Sequence, residues 1–249
     1  MEDKTMSDET KEIIEETAKE EPKKKKLLSE NTVEVLVAVF LGITALLTAW
    51  ATWIGSLHGG NQSTNYTTSN NLASEGNSEY NAGMQLYLSD LMAWNTMMEY
   101  SFDQILANAE GNEIEADLIG QKLSTYAEQN CSSILLNAIN NMDEDMSSPY
   151  EVEGVISEYF VTANELLEES RQYLEQGKID NAHGDAYNLV NVIYSVVLFM
   201  LGIVGVFKRI PNRTVVLIIA VIGLVIATVY MLTIPMPTGF DIMSFFSGQ

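Results

Sequence analysis

Leu189–Leu232 reads LVNVIYSVVLFMLGIVGVFKRIPNRTVVLIIAVIGLVIATVYML, two apolar blocks split by one short basic run. Neither Leu189–Phe207 nor Val215–Leu232 contains Asp, Glu, Lys or Arg. At about 1.5 Å of rise per residue, each block as a helix matches a hydrocarbon core of about 30 Å. A helix apolar on every side has no face to offer water, so its solvent is lipid or protein.

A third block lies upstream, Val33–Ile54, whose one acidic or basic residue is Glu34. Asn31-Thr32-Val33-Glu34 resembles a capping box and puts Glu34 in the first helical turn, near water. The leader before this block is long and acidic, and the block exceeds the apolar core of a cleavable signal, so an uncleaved anchor is expected. Lys23, Lys24, Lys25 and Lys26 directly precede it, and Lys208, Arg209 and Arg213 occupy the link between the other two blocks. Cationic side chains beside a span stay on the cytoplasmic face and touch anionic lipid heads. Three crossings starting inside satisfy both basic runs at once.

The expected fold class is therefore all-α, with three transmembrane helices and an extracytoplasmic helical bundle inserted between helices one and two. The expected divisions are a disordered cytoplasmic tail (1–30), transmembrane helix 1 (31–56), an acidic extracytoplasmic helical domain (57–186), transmembrane helix 2 (187–207), a basic cytoplasmic loop (208–213), transmembrane helix 3 (214–233) and an outer-interface tail (234–249). In that tail Phe240, Ile242, Phe245 and Phe246 follow Pro235 and Pro237. Trp50, Trp53 and Tyr230 fall at the outer ends of spans, where amphipathic rings favour the headgroup layer. The expected location is the plasma membrane, multi-pass, with the N-terminus cytoplasmic and the C-terminus extracytoplasmic.

The formal net charge of the chain is -21. Residues 55–187 hold 22 Asp and Glu against three Lys and Arg, as the retention of cations inside demands of an exported segment. Such a surface repels phosphate, so no nucleic-acid partner is expected. Cys131 is the single cysteine, which leaves neither an intrachain disulfide nor a cysteine zinc site.

Apolar spacing in this acidic segment predicts three helical stretches. The first carries Tyr80, Met84, Tyr87, Leu91, Trp94, Met98, Phe102 and Ile105; the second Ile114, Leu118, Leu123, Tyr126, Ile134, Leu135 and Ile139. The third starts at Ser148-Pro149-Tyr150-Glu151, a cap followed by Pro at the first helical position, and buries Val152, Ile156, Tyr159, Ala163, Leu167 and Leu174. The Asn-, Ser- and Thr-rich tract from Asn61 to Asn81, preceded by Gly59-Gly60, reads as either helix or interrupted stalk.

No nucleophile elbow, zinc helix, P-loop or dinucleotide fingerprint occurs, so no catalytic residue, cofactor or metal is expected. His58 and His183 sit just past two span ends and could share a depth. Asp143-Glu144-Asp145 lacks the ligand alternation of a calcium loop and reads as a solvated turn. The candidate site is a polar stripe: Gly177, Asn181 and Asp185 share a helix face, and Gln62 and Asn65 could meet them near the outer interface.

This pattern resembles a family of uncharacterised bacterial three-span membrane proteins. The residues that carry the likeness are Ala49-Trp50, the run Gly59-Gly60-Asn61-Gln62-Ser63-Thr64-Asn65-Tyr66, Ser148-Pro149-Tyr150, and Gly177, Asn181, Asp185 and Tyr187 leading into Leu198-Phe199. Asn61 stands where the resemblance implies Glu in many members. The resemblance implies the three-span fold over about residues 33–232 and no reaction. The expected function is a structural or protein-interaction component of the bacterial cell envelope, partnered by the lipid bilayer and by a homo-oligomer or another envelope protein. A sensor or ligand-binding subunit, and a subunit of an oligomeric cation channel or transport complex, are the alternatives.

Overall fold

The computed structural model describes residues 29–207, 213–241 and 243. Its elements are α1 (Glu30–Ala109), α2 (Glu113–Asn130), α3 (Ser133–Asn140), a 3-10 turn (Pro149–Glu151), α4 (Val155–Glu158), α5 (Val161–Val206) and α6 (Arg213–Thr233), with no strand among the described residues. The chain is all-α, and α1, α5 and α6 each contain a stretch long and apolar enough to cross a membrane. Two compact units result: one takes the described residues of Met1–Gly55 and Asp185–Met236, the other those of Ser56–Gly184 and Pro237–Gln249.

The first unit packs the three apolar stretches together. Its buried positions recur every seven residues: Tyr187, Tyr194 and Leu201 with Val190, Val197 and Val204 on α5, and Leu217, Leu224 and Met231 with Ala220 and Ala227 on α6. That period keeps one narrow stripe of each helix facing its neighbours. Small residues let the backbones approach: a β-carbon on Gly55 would lie 3.2 Å from Tyr187 Cβ, and one on Gly223 would lie 3.2 Å from Val197 Cγ2. The outward positions, among them Leu46, Phe199, Ile222 and Ile226, are exposed aliphatics and aromatics, the surface that hydrocarbon solvates. Two of its polar side chains find partners within the unit: Thr44 donates to Phe40 O at 2.7 Å, and Tyr194 Oη lies 3.1 Å from Thr228 Oγ1.

The second unit is an antiparallel pairing of residues 56–109 of α1 with residues 161–184 of α5, to which α2, α3 and α4 are added. The Asn-rich tract is continuous helix, resolving the choice between helix and stalk. Thr64 and Thr67 fold their hydroxyls onto Gly60 O and Ser63 O, so the side chains do not compete for the helix's own amides. Gly59 is exposed with nothing within 4 Å of a β-carbon placed there. Gly59→Ala is expected to stabilise the chain by about 0.5–1 kcal/mol, since only helix propensity changes; a melting curve in detergent that moves down instead would show an unseen contact.

Several expected boundaries are corrected. Ser29, whose Oγ accepts from Thr32 N at 3.2 Å, caps α1 instead of Asn31. The second stretch is two helices, α2 and α3, because Ser132 begins a new helix by accepting from Leu135 N. The third stretch is also broken: Ser148 caps only a 3-10 turn, Gly154 then takes a left-handed φ of 84°, and the long helix starts at Val161. Ile156 and Leu174, expected in the core, are exposed, as are Phe102, Ile105, Ile114 and Leu118.

Candidate functional site

The buried face of α1 in the second unit is made of polar and small residues. His58, Gln62, Asn65, Ser69, Gly76, Gly83 and Asp90 follow one another at spacings of four, three or seven, so they form a single stripe along the helix. Opposite lie Asp180, Gly177, Ser170, Ala163 and Tyr159, all buried. Glycine permits this closeness: a β-carbon on Gly177 would lie 2.5 Å from the Tyr66 ring, and one on Gly76 would lie 2.9 Å from Leu167 Cγ.

At one end of the stripe, Asp180 is 1% exposed, and among the described residues the basic side chain paired with it is His58. His58, also buried, donates from Nδ1 to Asp180 Oδ1 at 3.0 Å. Asn65 donates to Asp180 Oδ2 at 3.0 Å, and Gln176, one turn away on α5, donates to the same oxygen at 3.5 Å. Gln62 donates to Asn181 Oδ1 at 2.8 Å. The His183 ring lies edge-on to His58, centroids 5.1 Å apart. Hydrogen bonds thus reach both oxygens of this buried carboxylate.

The sequence-stripe residues therefore divide. Gln62, Asn65 and Asn181 come together, Gln62 bonded to Asn181 and Asn65 bonded to Asp180 and packed beside Gly177. Asp185 is exposed and belongs to the other unit. Sequence reasoning missed Asp180; its signal was position, three residues after Gly177 and on the face that glycine presents. Arg213 is buried at the start of α6 and donates from Nε to Val204 O at 2.7 Å, satisfying a carbonyl of the last turn of α5. Lys23, Lys24, Lys25, Lys26, Lys208 and Arg209 lie outside the described residues, as do Ile242, Phe245, Phe246 and the rest of the tail beyond Met243.

A second buried carboxylate stands further along. Asp90 is 1% exposed; its Oδ1 accepts from Ser132 N at 2.8 Å, and its Oδ2 accepts from the Ser132 hydroxyl and from Tyr159 Oη, the latter at 2.7 Å. Ser132 is also the cap of α3, so Asp90 ties three elements to one point. Burial, reinforced by Asp90, pushes the neighbouring phenols up, Tyr150 to about 12 and Tyr159 further. Above the ordinary value of 10 the unfolded phenols ionise while the folded ones stay protonated, so the unfolded chain binds fewer protons. Stability is accordingly expected to fall as pH climbs from 10 towards 12, measured as melting temperature against pH.

Cys131 adjoins this point, its thiol donating to Met97 Sδ at 3.4 Å. Burial and then Asp90 raise its pKa. Alkylation of the native chain at neutral pH is expected to run roughly tenfold slower than for a free cysteine, and equal rates would contradict this environment.

Asp143, Glu144 and Asp145 are exposed in a turn closed by Met146 N donating to Asp143 O at 3.0 Å. Among the described residues no group of three His, Cys, Asp or Glu is placed to hold a metal ion. No protein-family profile, no curated protein and no solved structure matches the chain.

Proposed function

We propose that the chain is a structural or protein-interaction component of the cell envelope, anchored by its three apolar helices and presenting its acidic helical unit outside the cytoplasm. The observation that carries this reading is the hairpin of α1 and α2. Phe102, Ile105, Ile114 and Leu118 are 65%, 63%, 77% and 61% exposed, although all four recur at helical spacing as core residues do. Large apolar side chains left exposed on the outer sides of both helices mark places where another chain docks.

A photo-crosslinking residue placed at Phe102 or Leu118 in intact cells is expected to capture a discrete protein species, while the same residue at exposed Gln172 on α5 is expected to capture none. Equal labelling at all three positions, or none at any, would remove the interaction reading.

The His58–Asp180 pair favours a second reading, a sensor. The pair ties α1 to α5 through a buried side-chain hydrogen bond that a bound ligand would break or brace, with helix pairing as the readout. Ligand-dependent stabilisation abolished by His58→Gln would favour it over docking.

A further inference from the structure

Opposite its buried stripe, α1 carries a second regular one. Leu88, Leu91, Asn95, Met98, Phe102 and Ile105 follow one another at alternating steps of three and four, and the same steps reach back to Met84 and on to Ala109. These are the a and d positions of a heptad, with Leu88, Asn95 and Phe102 at a, sustained over about 39 Å of helix. Asp90, Ala93, Met97 and Ala107, buried against the rest of the unit, fall at c and f on the other side of the helix. Leu88, Asn95, Phe102 and Ile105 are exposed, and Leu91 and Met98 are half-buried. One face of a single helix thus presents the seam of a coiled coil outward.

The seam itself says which helix covers it. Asn95 is its one polar member, and an amide set among apolar side chains needs a partner that both donates and accepts. Against Leu, Met or Phe it is left unpaired. In a parallel, in-register pair of α1 helices position a meets position a, so Asn95 meets Asn95 and Phe102 meets Phe102. A second copy supplies that match by identity, and charge permits it. From Met84 to Ala109 no Asp, Glu, Lys or Arg stands at a or d, and Glu99 is the one charged residue at the flanking e and g positions. Pairing of e with g places Glu99 opposite Trp94 of the second copy, so no like charges meet across the seam.

We infer that the outer stripe of α1 from Met84 to Ala109 is the seam of a parallel, in-register homodimer, with Asn95 paired across it. The inference rests on the interaction reading above and names the partner as a second copy of this chain.

The test uses the full chain with Cys131→Ala, carrying one new cysteine at a time, in native membranes treated with a short bis-maleimide. Leu88→Cys and Phe102→Cys are expected to yield a species of two chains, about tenfold more than Asp103→Cys, which is exposed on the same helix but off the seam. In detergent, mass against concentration reads the affinity of the otherwise unaltered chain. Leu88→Glu with Phe102→Glu is expected to weaken self-association about tenfold or more. Asn95→Leu is expected to strengthen it and to admit assemblies other than the dimer, because the group that fixes register is gone. All these side chains are exposed, and an unchanged helical circular dichroism signal confirms folding of each variant.

Equal crosslinking at Phe102 and Asp103, a dimer that survives the Glu pair, or association unmoved by Asn95→Leu overturns the proposal. Photo-crosslinking at Phe102 that captures a different protein overturns it too, but leaves the interaction reading standing. No capture at either Phe102 or Leu118 removes the reading itself.

Discussion

Gly83→Ala is expected to lower the stability of the chain by about 3 kcal/mol, the upper range for overpacking a close contact. A β-carbon at this position would lie 2.1 Å from the carbonyl oxygen of Tyr159 and 3.2 Å from Phe160 Cδ1. The first of these atoms is backbone, so no rotamer change relieves the clash. Either α1 moves away from the segment joining α4 to α5, or that segment unwinds. The contact lies between the Gly76 approach to Leu167 and the Asp90 anchor, so separation there also stretches the hydrogen bond from Tyr159 to Asp90. At about 2–4 °C per kcal/mol for a chain of this size, thermal melting followed by tryptophan fluorescence should fall by roughly 6–12 °C. A loss under about 1 kcal/mol would mean that the two backbones are not in contact.

Asp90→Ala is expected to cost more, about 3–5 kcal/mol, because it strands three donors at once: Ser132 N, the Ser132 hydroxyl and the Tyr159 hydroxyl. Each buried donor without an acceptor costs about 1–3 kcal/mol, and the start of α3 loses its tether to α1. Asp90→Asn keeps one acceptor for Ser132 N and should cost roughly half as much, since the hydroxyls can rotate to accept from the amide. Denaturant melts of both variants in the same detergent check the order. An Asn variant worse than the Ala variant would show that packing volume, and not hydrogen bonding, holds this point.

The spans were legible in the sequence because lipid imposes a simple demand. Every side chain facing outward must be apolar, and Leu189–Phe207 and Val215–Leu232 meet it without an Asp, Glu, Lys or Arg. The pairing of α1 with α5 was not legible by the same rule. Its buried face on α1 is His, Gln, Asn, Ser, Gly and Asp, residue types whose usual place is the surface. A search for apolar spacing settles on Tyr80, Met84, Tyr87 and Leu91, a neighbouring stripe that is half-buried or exposed.

The hidden regularity was nonetheless present: Gln62, Ser69, Gly76, Gly83, Asp90 and Met97 fall every seven residues. Gln62, Asn65 and Asn181 were legible because polar groups three or four residues apart on facing helices need partners, whereas Asp180 lies one position beside that stripe. Phe102, Ile105, Ile114 and Leu118 expose a different limit. Apolar spacing tells that a face is covered, but one chain's sequence does not tell whether the cover is its own or another's.

Association with another protein is the central claim, and the most direct measurement is the mass of the protein solubilised in detergent, with and without prior crosslinking in intact cells. A discrete complex is expected, heavier than one chain and containing a second polypeptide, that crosslinking retains. A bare monomer under both conditions, or a ring-sized assembly of this chain alone with a cation-dependent current, would contradict it.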